Sequence, residues 1–136
     1  MKPRGISMLP LIKQDRDSVT LVKAELPLKR HELAFYRRDN GQFVLHRVMK
    51  LEKDGGYVMC GDNQTVLEYG INDSNVIAVV SEIYRGEKRL NTRSLTHKLY
   101  LVFWCCMPLR KLLRFSKRCI SKIVRVAKKI FGKRID

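Results

Sequence analysis

Ser7 stands in the stretch Gly5-Ile6-Ser7-Met8-Leu9-Pro10, two residues after a glycine and three before a proline. A serine hydroxyl attacks a carbonyl well only when a base takes its proton. The chain offers three histidines for that task, His31, His46 and His97. His46 lies in Val44-Leu45-His46-Arg47-Val48, where apolar neighbours on both sides would hold the ring rigidly. His31 sits in a charged turn, and His97 opens a basic tail. An imidazole with an ordinary pKa near ~6.5 accepts a proton at neutral pH, whereas a lysine must first be desolvated. Ser7 with His46 therefore has the makings of acyl-transfer chemistry. The Ser7 backbone N–H is the nearest donor for the oxyanion, and Gly5 gives the chain the freedom to approach it sharply.

These residues need elements to position them. Residues 19–27, 33–38, 42–50, 57–60 and 76–84 are short, β-branched or aromatic runs that read as strands. Asp39-Asn40-Gly41, Lys53-Asp54-Gly55-Gly56, Gly61-Asp62-Asn63 and Arg85-Gly86-Glu87-Lys88 supply turn chemistry between or after them. Close turn spacing predicts a mainly β domain, a small sheet or barrel. From Leu95 the pattern becomes helical. Leu112, Leu113, Ile120, Ile123, Val124, Ala127, Ile130 and Phe131 fall within about 60° of Leu109 on a helical wheel. Pro108 is expected to separate this helix from the apolar run before it, and Gly132 to end it.

Three stretches, in order, carry a resemblance. Gly5–Pro10 is similar to a Gly-x-Ser-Met-x-Pro nucleophile box. Residues 35–50 are similar to a strand pair that delivers a general base, and residues 56–64 to a Gly-Asp-Asn box. Together they resemble the signal peptidase family of serine proteases and the related self-cleaving SOS-type repressors, over about residues 5–85. His46-Arg47-Val48 resembles the subtype whose base is histidine rather than lysine. The resemblance implies a small signal-peptidase-like β-barrel with Ser7 as nucleophile and His46 as general base. Asp62 is implied as the third group that orients the imidazole, with Glu68, six residues on, as its rival. The implied substrate is an extended peptide, a leader or signal segment, held by backbone hydrogen bonds along a strand edge. No cofactor or metal is expected. The chain departs from the family at His31-Glu32, where a Gly-Asp pair is usual, and no spanning helix precedes Ser7 in it.

Charge divides the chain. Residues 1–90 carry 15 Lys/Arg against 12 Asp/Glu, and residues 91–136 carry 13 against 1. A peptidase-like β domain over 1–90 and a basic tail over 91–136 are expected. Arg110, Lys111, Arg114, Lys117, Arg118, Lys122, Arg125, Lys128 and Lys129 lie opposite the apolar stripe. Such a helix, roughly 35 Å long, suits an anionic membrane surface, with Trp104 at the headgroup boundary. Nucleic acid is the weaker partner, because phosphate binding alone requires no apolar stripe. The longest uncharged run, Leu99–Leu109, is shorter than the ~20 residues of a spanning helix, so peripheral attachment is expected. Basic flanks favour the cytoplasmic face. Cys60, Cys105, Cys106 and Cys119 lack metal or disulfide spacing and read as free thiols. Two functions of different class follow: a membrane-associated serine endopeptidase, or an inactive peptidase-fold binding module tethered by its tail. A repressor-like regulator would need a DNA-reading helix pair, and none precedes Gly5.

Overall fold

The computed structural model describes residues 1–92 and 94–131, except for the side chains at 114, 117, 118, 123, 124 and 126–131. Among them are seven strands: β1 (Asp17–Val22), β2 (Leu33–Arg37), β3 (Phe43–Leu51), β4 (Tyr57–Cys60), β5 (Glu68–Ile71), β6 (Val76–Arg85) and β7 (Lys88–Arg89). Two helices follow, α1 (Leu95–Trp104) and α2 (Met107–Phe131). The strands form one antiparallel sheet in the order β1-β6-β2-β3-β4-β5, with β7 folded back on β6.

The sheet is open, which corrects the expected barrel. Closure would need β1 and β5 to pair, with tilt and stagger to match. β5 has only four residues, and the chain before it, from Gly61 to Leu67, is spent on turns and irregular backbone. The outer edge of β1 is already used: Val19 and Met1 exchange backbone hydrogen bonds of 2.8 and 2.7 Å.

β3 is the strand that matters most. Its residues Val44–Met49 are all buried, so both of its faces are covered. Side chains alternate across a strand, and two apolar clusters result. Ala34, Tyr36, Val44, Val48, Tyr57 and Met59 form one; Leu33, Leu45, Ile83, Val19, Met8 and Ile12 form the other. His46 shares parity with Val44 and Val48, and Arg47 with Leu45. The two neighbours therefore point to opposite faces.

The chain divides into two compact units, the first being Met1–Cys105 and the second beginning at Cys106. The boundary lies beyond the expected residue 90 because α1 belongs to the β domain: Tyr100 packs against the Met8 cluster. Ser94 caps α1, its Oγ accepting the His97 N–H at 3.2 Å. The break between the helices falls at Cys105–Cys106. Pro108 lies inside the first turn of α2, where its missing N–H leaves nothing unsatisfied. The expected stop at Gly132 lies outside the described residues. No helix among the described residues is long and apolar enough to cross a membrane.

Candidate active site

The segment carrying Ser7 is a series of turns pinned from below. Met8, Leu11 and Ile12 are buried in the second cluster, and the Ile12 N–H bonds the Met8 carbonyl at 2.9 Å. Gly5 adopts φ +96°, where a β-carbon would be strained, and its N–H donates to Gln14 Oε1 at 2.6 Å. The Gly-Asp-Asn box holds the segment from the side. The Asn63 N–H donates to the Ser7 carbonyl at 2.6 Å. Gly61 lies so close that a β-carbon there would come within 2.7 Å of the same oxygen. These contacts fix the backbone of Ser7 and Met8 at the wall of a cavity.

That cavity, about 200 Å³, is lined by Ser7, His46, Arg4, Gln14, Arg38 and Gln64 among others. The sequence-predicted pair is thus brought to one cleft. Among the described residues no hydrogen bond joins the Ser7 hydroxyl to the His46 ring. Beside the cavity, residues 43–46 of β3 pair with β2 on one edge, while β4 pairs only from Arg47 onward. The second edge of 43–46 carries no strand among the described residues.

His46 is 2% exposed and gathers its partners from two other strands and the turn after one of them. Its Nδ1 lies 3.2 Å from the Tyr36 hydroxyl on β2. Tyr36 donates to Glu68 Oε2 on β5 at 2.7 Å, and Arg38, just beyond β2, grips both Glu68 oxygens at 2.5 and 2.6 Å. Glu68 itself stands 3.6 Å from Nδ1. Burial pushes the His46 pKa below the ordinary histidine value; Glu68 opposes that shift and Arg38 reinforces it. Burial pushes Glu68 upward, but its bonds to Arg38 and Tyr36 outweigh this and hold its carboxyl below the usual range. Burial and the bond to Glu68 drive the Tyr36 phenol strongly upward, so it keeps its proton. The ring is neutral near pH 7 and can accept a proton there.

Asp62, expected to orient His46, is committed elsewhere. Its two oxygens take the Arg47 Nε and terminal amine at 2.8 and 2.7 Å, with both side chains almost wholly buried. The reason is strand parity: Asp62 serves the face that Arg47 points to, and His46 points to the other. Sequence reasoning missed Tyr36 and Arg38, which carry Glu68 to the ring. The signal it could have used was Arg47: a cation in a strand buried on both faces requires its own counter-charge, and that removes one acid from the choice.

The tail residues divide. Trp104, expected at a lipid boundary, instead stacks on Tyr100 with ring centroids 5.8 Å apart, and its indole N–H donates to the Asp62 carbonyl at 2.7 Å. Tyr100 donates its hydroxyl to Asp62 Oδ2 at 2.8 Å. Lys111, Lys122 and Arg125 are exposed on α2, as are Leu112, Leu113 and Ile120. The side chains of Arg114, Lys117, Arg118, Lys128 and Lys129 lie outside the described residues. Among the described residues no group of three or more His, Cys, Asp or Glu could hold a metal ion. No family model, no curated protein and no solved structure matches this chain.

Proposed function

We propose that this chain is a serine endopeptidase of the signal-peptidase-like class, acting on leader or signal segments at an anionic membrane surface. The observation that carries the reading is the convergence of Ser7 and His46 on one cleft, with the ring buried, neutral and tethered at one nitrogen. The unpaired edge of residues 43–46 offers an extended peptide backbone hydrogen bonds beside the serine.

In the reaction, His46 takes the Ser7 proton as Oγ bonds to the substrate carbonyl carbon. The Ser7 N–H, which has no partner among the described residues, meets the developing oxyanion. The imidazolium then gives its proton to the leaving amine, and the acyl-serine ester remains. Water, deprotonated by the same ring, cleaves that ester and restores Ser7. For attachment, α2 offers exposed Leu112, Leu113 and Ile120 opposite Lys111, Lys122 and Arg125.

The test uses the full chain with vesicles of anionic lipid and a library of leader-like peptides, read by mass spectrometry, alongside a serine-reactive fluorophosphonate. Cleavage and labelling should both vanish in Ser7→Ala, and cleavage should fall at least about 10³-fold in His46→Ala. Cleavage that survives Ser7→Ala would overturn the assignment. That no hydrogen bond joins Ser7 to His46 among the described residues favours one second reading, a binding module without turnover. It predicts vesicle and peptide binding, no products, and no label on Ser7.

A further inference from the structure

Tyr36 has one hydroxyl proton to give. Glu68, gripped at both oxygens by Arg38, can only accept, and its Oε2 lies 2.7 Å from the Tyr36 oxygen. The proton therefore points at Glu68, and the Tyr36 oxygen presents a lone pair toward His46 Nδ1, 3.2 Å away. A lone pair on Nδ1 would oppose it. Nδ1 must carry a hydrogen, and Nε2 is left as the basic nitrogen. Both side chains are locked in place: Tyr36 is fully buried and His46 nearly so.

We propose that Tyr36 is a positioning residue that fixes the His46 tautomer, carrying the influence of Glu68 to the ring through its hydroxyl. The inference rests on the Ser7–His46 reading for its purpose, though not for its geometry. No proton travels along the chain of bonds. Tyr36 keeps its own proton throughout, and the ring gains and loses its catalytic proton at Nε2. When the ring becomes an imidazolium, the Nδ1–H bond to Tyr36 shortens, and Glu68, 3.6 Å from Nδ1, offsets the charge. Arg38 balances Glu68 at rest, so the acid does not trap the ring in its protonated form. Asp62, on the Arg47 side of β3, reaches the ring only through its field and is neutralised by Arg47. The arrangement separates two tasks that a direct carboxylate–imidazole pair combines: holding the tautomer and raising basicity.

The experiment is long-range nitrogen–proton NMR of the histidine rings in the ¹⁵N-labelled full chain near pH 7.5. The wild type should show His46 as the Nδ1–H tautomer. In Tyr36→Phe the Nδ1 hydrogen loses its acceptor, and the Nε2–H form, the major one for a free imidazole, should predominate. Should Tyr36→Phe fail to fold, as judged by amide spectra, Glu68→Gln is the second variant. There the hydroxyl is released to turn toward Nδ1, and the Nε2–H fraction should again rise. An Nε2–H tautomer in the wild type, or an unchanged Nδ1–H form in the folded variant, would overturn the proposal. Wherever cleavage is measurable, Tyr36→Phe should lower kcat by about 10²–10⁴-fold with KM little altered. The spectra decide the tautomer even if no peptide is ever cleaved, so failure here is distinct from failure of the peptidase reading.

Discussion

Two carboxylates, six residues apart, receive opposite treatment. Asp62 is fully buried, paired in a fork with an equally buried arginine, and roofed by Tyr100 and Trp104 from α1. Glu68 is partly exposed, shared between Arg38 and Tyr36, and one hydroxyl away from a titratable ring. The first joins β3 to the helix that follows the sheet. The second adjusts a nitrogen. What separates them is strand parity: the alternation at His46 and Arg47 sends one acid to each face of β3, and of these two side chains only His46 lines the cleft. A charge that is buried and fully satisfied acts as a structural fastener; a charge that stays partly exposed and bonds a hydroxyl beside a titratable ring can serve chemistry.

The largest expected effect lies on the Asp62 side. Asp62→Ala should destabilise the fold by about 3–5 kcal/mol, because it strands the buried Arg47 guanidinium without its counter-charge. Glu68→Gln, at a partly hydrated pair, should cost about 1 kcal/mol or less. Chemical denaturation with a shared slope measures both. The double variant Arg47→Met with Asp62→Ala should be more stable than Asp62→Ala alone, since the stranded charge is gone. Equal stability losses at the two acids would erase the distinction drawn between them.

Acid should next set the two regions apart. His46 titrates below its unfolded value, so on lowering the pH the unfolded chain binds protons first. Stability is unaffected above about 6.5, then falls as pH drops from there toward the folded value. His31 and His97 are likewise depressed, both chiefly by burial, and add to the same slope. Glu68, held low, loses its contribution only further down, below the usual glutamate range. For activity, the acid limb of kcat/KM should lie below pH 6.5, where a solvent-exposed histidine would already be half protonated. Glu68→Gln removes a group that raises the His46 pKa, and should move that limb to still lower pH. Asp62 is a weaker influence on the ring, and in any folded Asp62 variant the limb should shift less. A limb above 6.5 would contradict a buried, neutral base.

Much of this arrangement was legible in the residues. β4 was expected at 57–60 and found there, and β2, β3 and β6 fall within a residue of the expected runs, because turn glycines and apolar alternation mark their ends. β1 ends at Val22, where its pairing with β6 stops at Val79, rather than reaching Pro27. β5 and β7 were not expected. Glu68-Tyr69-Gly70-Ile71 and Lys88-Arg89 lack an apolar alternation, and they exist only because β4 and β6 offer them an edge. The cleft followed the same rule. The Ser7 loop and His46 announce themselves by local composition, whereas Tyr36 and Arg38 reach the site through register. Ala34 pairs with His46 across β2 and β3, and Tyr36 sits diagonally from the ring on the same face. No spacing along the chain displays that relation. Trp104 misled for a similar reason: an aromatic beside a basic helix resembles an interfacial residue until Asp62 supplies it an acceptor.

The smallest expected effect sharpens the structural side of the comparison. His31 occupies φ +74°, the left-handed region that favours glycine, at the position where the resembled family carries one. Its Nε2 is buried without a partner, while its carbonyl takes the Arg47 terminal amine at 2.9 Å and its N–H bonds the Val48 carbonyl at 2.8 Å. Both useful bonds come from the backbone, and both costs come from the β-carbon and the ring. Glycine should keep the former and relieve the latter. Against this stand the packing of a half-buried imidazole and the extra freedom glycine gives the unfolded chain, roughly 0.5–1 kcal/mol. Left-handed strain of about 1–2 kcal/mol together with an unpaired buried nitrogen is the larger sum. His31→Gly should therefore raise the unfolding free energy by about 1 kcal/mol, leave the Arg47–Asp62 pair intact, and leave the His46 tautomer unmoved. A destabilised variant would mean that the imidazole packs usefully beneath Arg47, and that the structural face depends on side chains where backbone bonds are argued to suffice.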